Sequence, residues 1–370
     1  MFRIILNKNY VMFKEYHPTK NKMFQVMDND GKIINEKYFP KLSDKKILKS
    51  YKDMLFARTA DLMIVSFQRQ GRIYTYPPNL GQEAVHRAAG DLMTDDDWLV
   101  PAFREMGAYL SKGVTLKELF LYFMGYEDGT AFKDVKKILP MAVPIASQLL
   151  HAAGIGYSLK YKKEKGSVFT FVGDGGTSEG DFHEALNFAG VWKAPVVFIV
   201  QNNQYGISTP FRMQTASDSI AIKALAYGIE GIQVDGNDYF AMYAATEKAA
   251  RHTREGKGPV LIEAVTYRKG AHTTSDDPTK YRTKEEEQEW DEKDPLKRLK
   301  AFLTDKKLIT DEAEEKLVKG YKEETSRQFK EAENYPEYPA DDIFDYMYAD
   351  MPEELKRQKA DYKKFLTQSK

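Results

Sequence analysis

Two short runs of this sequence carry residue types able to hold a charged ligand: Gly173-Asp174-Gly175-Gly176-Thr177-Ser178-Glu179-Gly180-Asp181 and Gln201-Asn202-Asn203-Gln204-Tyr205-Gly206. Each follows a short apolar stretch, Val168–Val172 and Val196–Val200, with the length and β-branched content of a buried strand. Glycines let backbone approach a ligand closely and leave amide N–H groups free. A helix beginning after the first run points its positive end at the same place, which favours an anion. Asp174 supplies a carboxylate oxygen and Asn203 a neutral amide oxygen at a neighbouring strand end. With a backbone carbonyl beside them, these are hard donors that suit Mg²⁺, whose octahedral shell is completed by phosphates and water. Alone, Gly-Asp-Gly after a strand reads as a turn. The second run raises it to a candidate site.

Rival chemistries fall away. The chain has no G-x-x-x-x-G-K-[ST], and Gly173–Ser178 does not continue as G-x-G-x-x-G, so neither a P-loop nor a dinucleotide fingerprint is present. It has no cysteine, which excludes thiolate catalysis, Cys-zinc sites and disulfides. Lys+Arg and Asp+Glu both number 55, and that balance argues against nucleic acid or an anionic membrane as the main partner. The apolar opening Phe2–Leu6, broken by Arg3, is too short for a secretory signal, and no stretch approaches a membrane span. A soluble cytoplasmic protein is expected.

The elements that must position these residues form a regular alternation. Helical spacing runs through Leu48, Tyr51, Leu55, Leu62 and Val65, and further helices are expected at Gly81–Leu92 and Leu116–Met124. Ile145–Tyr161 reads as a helix whose Ala152, Ala153, Gly154 and Gly156 suit close packing. Strands at Val168–Val172, Val196–Val200, Gly231–Val234 and Val260–Val265 are separated by helical segments through Phe182–Ala189, Ile220–Tyr227 and Tyr239–Arg251. Strands spaced this way imply an α/β fold with a parallel sheet covered by helices on both faces. Ligands of such sheets sit beyond the carboxyl ends of the strands, where both runs lie. The charged Lys284–Glu292 segment reads as a solvated helix face.

Around these runs the sequence GDGGTSEGDFHEALNFAGVWKAPVVFIVQNNQYGIS resembles the alpha subunits of thiamine-diphosphate-dependent 2-oxo acid dehydrogenases, closest in kind to the bacterial pyruvate branch. The likeness extends through PNLGQEA at 78–84, VPAFREMG at 100–107, QVDGND at 233–238 and TYRKGAHTTSDDPTKYRTKEE at 266–286. It covers most of the chain from about Met23. The resemblance implies a thiamine-diphosphate-binding α/β domain over 46–290 with its diphosphate-binding core at 140–270, a lead-in at 1–45 and a helical C-terminal extension at 291–370.

By that resemblance Asp174, Asn203 and the Tyr205 carbonyl bind Mg²⁺, and Gly175 and Gly176 lie against the diphosphate. Arg104 reaches phosphate, while Phe103 stands where the family has tyrosine and loses a hydroxyl contact. Val143 and Ile145 match backbone contacts to the aminopyrimidine. His272 sits on a loop that closes over the diphosphate, with Tyr281 and Arg282 near the entrance. Asp181 and Glu184 line a channel between paired active sites. Read without the resemblance, Arg104 is a surface ion-pair residue, His272 a solvated histidine, and Asp181 with Glu184 a capping box on a Ser178-capped helix. His183 and His252 read as solvated, and His151 as packed among small residues.

The implied activity is oxidative decarboxylation of pyruvate with transfer of the acetyl group to a lipoyl arm. Thiamine diphosphate supplies the electron sink. A beta subunit is expected to supply the glutamate at the pyrimidine end, in an α₂β₂ assembly that hands its product to a lipoyl-bearing dihydrolipoyl acyltransferase. Branched-chain 2-oxo acid and acetoin dehydrogenases share every motif above. A non-catalytic scaffold that keeps the fold is the reading from another class, against which the intact Asp174, Asn203 and His272 speak.

Overall fold

The computed structural model describes residues 12–368; the opening run Phe2–Leu6 lies outside them. In chain order α1 (Asp44–Arg69) and α2 (Glu83–Leu92) lead to a short strand β1 (Trp98–Val100), then α3 (Met106–Lys112), α4 (Leu116–Phe123) and α5 (Ser147–Lys162). The chain continues as β2 (Val168–Gly173), α6 (Gly180–Trp192), β3 (Val196–Asn202), the small hairpin β4 (Tyr205–Gly206) and β5 (Thr209–Pro210), and α7 (Phe211–Gln214). Then come β6 (Glu230–Asp235), α8 (Tyr239–Arg254), β7 (Val260–Val265), α9 (Lys284–Glu292), α10 (Pro295–Asp305), α11 (Asp311–Glu333), α12 (Asp342–Asp345) and α13 (Glu353–Gln368). Local caps explain several starts: Ser43 accepts from the Lys46 N–H to open α1, and Thr115 with Glu118 forms a reciprocal capping box on α4.

The five main strands form one parallel sheet in the order β1-β2-β3-β7-β6. β2 and β3 are buried along nearly their whole length, which is why they read as unbroken apolar runs rather than alternating ones. α5 and α6 close one face, packing Leu149, Phe182 and Leu186 on Val168, Val196 and Phe198. A Cβ on Gly156 would come 2.7 Å from Val196 Cγ2, so this glycine brings α5 down onto β3. Ala152 and Ala153 are buried too, whereas Gly154 is exposed; the small-residue run serves packing inside this chain.

Some expectations need correction. Nothing in the residue pattern marked β1, a three-residue edge strand too short to show a period. Leu62, expected on the buried stripe of α1, is 54% exposed; the buried face runs instead through Tyr51, Leu55, Ile64 and Phe67. Among the described residues, the lead-in forms isolated bridges, Phe24 to Val234 and Met27 to Ile33. Residues Ala221–Tyr227 wind as a 3₁₀ helix.

The chain divides into two compact units, one ending at Phe329 and the other beginning at Lys330. No such break falls at 291: α10 belongs to the first unit and packs on α1. In the second unit Phe344 lies 5.9 Å from Tyr362, ring to ring, and Lys359 pairs with Asp341 and Asp345. Among the described residues no helix is long and apolar enough to cross a membrane.

Candidate active site

The parallel register puts Gly173 beside Gln201 and Asn202 beside Val265, so Asp174, Asn203 and Thr266 leave the sheet at one edge. Beyond that edge lies a cleft of about 380 Å³, large enough for a cofactor-sized ligand. Its walls include Phe103, Arg104, Ile145, Asp174, Gly175, Gly176, Asn203, Tyr205 and His272, all singled out in the sequence.

Asp174 is 1% exposed and immediately follows β2. The Asn203 amide oxygen lies 3.3 Å from Asp174 Oδ1 and 3.2 Å from the Tyr205 carbonyl oxygen. Swapping the amide would turn these into hydrogen bonds from nitrogen; as an oxygen it makes three electron-rich atoms converge. Spacings near 3 Å between neighbouring oxygens follow from octahedral coordination at about 2.0–2.1 Å, the geometry Mg²⁺ requires. The donor chemistry therefore fits a small divalent cation. Among the described residues no group of three or more His, Cys, Asp or Glu offers a rival metal site. Burial pushes the Asp174 carboxyl up to about 6, against the Gln214 hydrogen bond and the Arg268 charge that lower it.

Gly176 is fixed by packing: a Cβ there would stand 2.5 Å from Val172 Cγ2. It lies within a 3₁₀ turn, Gly175–Ser178, and α6 starts only at Gly180. Ser178 does not cap α6; Glu179 occupies the N-cap without a side-chain hydrogen bond, so the capping box is not formed. Asp181 is half-buried and Glu184 exposed on α6, and neither reaches the cleft wall.

Arg104 is buried, not a surface ion-pair residue. Its Nη1 donates to the Pro78 carbonyl, and Nη2 donates to the His272 carbonyl at 2.8 Å. Phe103 meets the His272 ring edge-on at 6.4 Å. His272 is not simply solvated: burial, then the charges of Arg104 and Arg268, hold its pKa down to about 4.

Several wall residues went unnoticed in the sequence. Arg268 donates to the carbonyls of Tyr205 at 3.1 Å and Ile207 at 2.7 Å, and to the Tyr281 hydroxyl at 2.9 Å. Glu105 is 1% exposed and accepts from Gln201 Nε2 at 2.6 Å; Gln201 Oε1 in turn accepts from His86 Nε2 at 2.7 Å. Gln82, Gln148 and Gln214 also line the cleft. Strand alternation was the available signal for Gln201, which must face away from its neighbour Asn202; nothing local marked the others.

Three further expected residues stand off the wall. Val143 is 58% exposed. Tyr281 donates to Asp276, whose carboxylate also accepts the backbone N–H of His272 at 2.7 Å. Arg282 is buried behind the loop, donating to the carbonyls of Arg268 and Gly270. The α9 segment is more than a solvated face: Glu286 accepts from the Tyr205 hydroxyl at 2.7 Å, and Trp290 stacks on Tyr267 at 5.2 Å. The remaining histidines reverse in part, His151 being exposed and His252 buried, while His183 contacts the Tyr227 hydroxyl.

A family model described as "Dehydrogenase E1 component" matches residues 51–341. The chain is 45% identical over 341 residues to the pyruvate dehydrogenase E1 component subunit alpha of Acholeplasma laidlawii, covering 92% of this chain and 99% of that protein. It is 42% identical over 336 residues to the protein of the same name from Bacillus subtilis (strain 168), covering 90% and 91%. For the one from Mycoplasma genitalium the identity is 39% over 355 residues, covering 96% and 99%.

Proposed function

The chain belongs to the dehydrogenase E1 component family, and from that premise we propose that it is the diphosphate-holding alpha subunit of an enzyme that oxidatively decarboxylates pyruvate and passes the acetyl group to a lipoyl arm. The observation that carries the reading is the convergence of Asp174, Asn203 and the Tyr205 carbonyl at the floor of the cleft. The family depends on thiamine diphosphate, which when bound supplies the electron sink for loss of CO₂ from a 2-oxo acid.

Each wall then has a task. Asp174, Asn203 and Tyr205 hold Mg²⁺, and Gly175 and Gly176 leave room for phosphate oxygens. The ring N–H of His272 donates into the same space, with the charge of Arg104 and Arg268 behind it. Phe103 offers an apolar surface without a hydroxyl. Ile145 on the cleft wall, and the exposed Val143 two residues before it, contact the aminopyrimidine through their backbone. Tyr281 and Arg282 hold the loop that carries His272, near the entrance. Asp181 and Glu184 line a channel between paired active sites.

Among the described residues there is one five-stranded parallel sheet and no second α/β unit. The reading therefore needs a beta subunit to bring the acid for the pyrimidine end, in an α₂β₂ assembly, and a dihydrolipoyl acyltransferase to take the product. A cytoplasmic setting belongs to the same proposal. The test is co-expression with the beta subunit, followed by decarboxylation assays with an artificial electron acceptor and competing 2-oxo acids. Pyruvate turnover is expected only with both chains present. A normal rate from the chain alone would overturn the two-subunit reading.

A further inference from the structure

Gln214 closes α7, the single helical turn after the β4–β5 hairpin. Its Nε2 donates to Asp174 Oδ2 at 2.8 Å and to the Thr209 carbonyl at 3.0 Å. Both partners accept only, so the orientation of this amide is fixed. Its Oε1 is then a buried acceptor without a protein partner. The slot for the amide is cut to size by glycine: a Cβ on Gly206 would lie 3.1 Å from Nε2 and 3.3 Å from Oε1, and one on Gly175 would lie 3.6 Å from Oε1. The other carboxylate oxygen, Asp174 Oδ1, is the one that faces Asn203.

We propose that Gln214 sets the cation preference of the site by engaging Asp174 Oδ2, which confines the carboxylate to one-oxygen coordination through Oδ1. This rests on the reading of the cleft as a cation–diphosphate site. Mg²⁺ demands near-ideal octahedral geometry at about 2.0–2.1 Å and is met by single carboxylate oxygens. Ca²⁺ takes about six to eight oxygens at 2.3–2.6 Å and readily accepts a carboxylate through both. An untethered Asp174 could turn to offer both oxygens; the tethered one loses the Gln214 hydrogen bond by doing so. The free Oε1 fits the same picture, because Mg²⁺ keeps water in its shell and cation-bound water is a strong donor to a nearby acceptor. Gln214 is thus a positioning residue that acts through Asp174.

The test uses the full chain co-expressed with its beta subunit. Thiamine diphosphate binding is measured by calorimetry while either Mg²⁺ or Ca²⁺ is titrated, alongside the melting temperature of the cation-free protein. Gln214→Met keeps side-chain length without the amide, and Gln214→Ala removes the side chain should Met not be accommodated. The expected result is a shift of about tenfold in the Ca²⁺-to-Mg²⁺ ratio of half-saturating concentrations toward Ca²⁺, the size of one lost hydrogen bond, with the melting temperature unchanged. An unchanged ratio overturns the proposal, and so does equal weakening for both cations with a lowered melting temperature. Wild-type protein that binds no thiamine diphosphate with either cation would instead sink the cation–diphosphate reading beneath it.

Discussion

Arg104 Nη2 lies 2.8 Å from the carbonyl oxygen of His272 and 3.4 Å from its ring Nδ1. A guanidinium can only donate, so Nδ1 is the accepting nitrogen and the ring proton sits on Nε2. With a pKa held near 4, the imidazole is neutral at physiological pH. The resemblance placed both Arg104 and His272 at the diphosphate; the structure puts charge on the arginine and a neutral N–H on the histidine.

Arg104→Ala is therefore expected to destabilise the protein as well as weaken cofactor binding. Two charge-assisted hydrogen bonds, a buried one to the Pro78 carbonyl and a part-buried one to the His272 carbonyl, are lost, each worth about 1.5–3 kcal/mol. Urea unfolding of the cofactor-free variant reads this directly. A midpoint equal to wild type would mean that these bonds do not hold the loops together.

His272→Ala should spare the fold and weaken thiamine diphosphate binding by about tenfold, the worth of one hydrogen bond. Calorimetry on the holoenzyme checks it. A change below twofold would remove His272 from the diphosphate site.

Asp174→Ala removes the only carboxylate among the three converging oxygens. Mg²⁺ and thiamine diphosphate binding should be lost together, by at least 100-fold, while the melting temperature of the cofactor-free protein falls little or rises, because a buried carboxylate is removed. Undiminished cofactor affinity would refute the metal assignment.

Two buried groups on the Gln201 relay should give pH dependence of opposite sign. Burial lowers His86 from 6.5 to about 4, so between those values the unfolded chain binds more protons and stability falls as pH falls. Burial raises Glu105 from 4.5 to about 7, so its contribution is present below 4.5 and is lost as pH rises through 7. Relative to His86→Gln, wild type should lose on the order of 1–3 kcal/mol on going from pH 7 to pH 4. Relative to Glu105→Gln, it should lose a similar amount from pH 4.5 to pH 8. Parallel stability profiles for wild type and both variants would contradict the burial argument.

Asp181→Asn with Glu184→Gln should slow turnover more than it affects folding. Neither carboxylate caps α6, so the helix-dipole loss is about 0.3–1 kcal/mol per residue at most. Normal turnover in the double variant would count against the channel role.

What the sequence settled alone was whatever is written locally or periodically. The apolar runs of β2 and β3 and their helical spacers required a covered parallel sheet, and strand ends in such a sheet share one edge, so Asp174 and Asn203 had to meet. What the tertiary structure decided depends on partners distant in the chain. Arg104 meets Pro78 and His272, Gln201 meets His86 and Glu105, and Gln214 reaches back across the β4–β5 hairpin to Asp174. A glutamine or arginine carries no local mark of the carbonyl or carboxylate it will find, because that choice is made by packing. Burial likewise separates His272 and Glu105 from their solvated counterparts, since desolvation depends on the walls that fold around a residue and not on its neighbours in sequence.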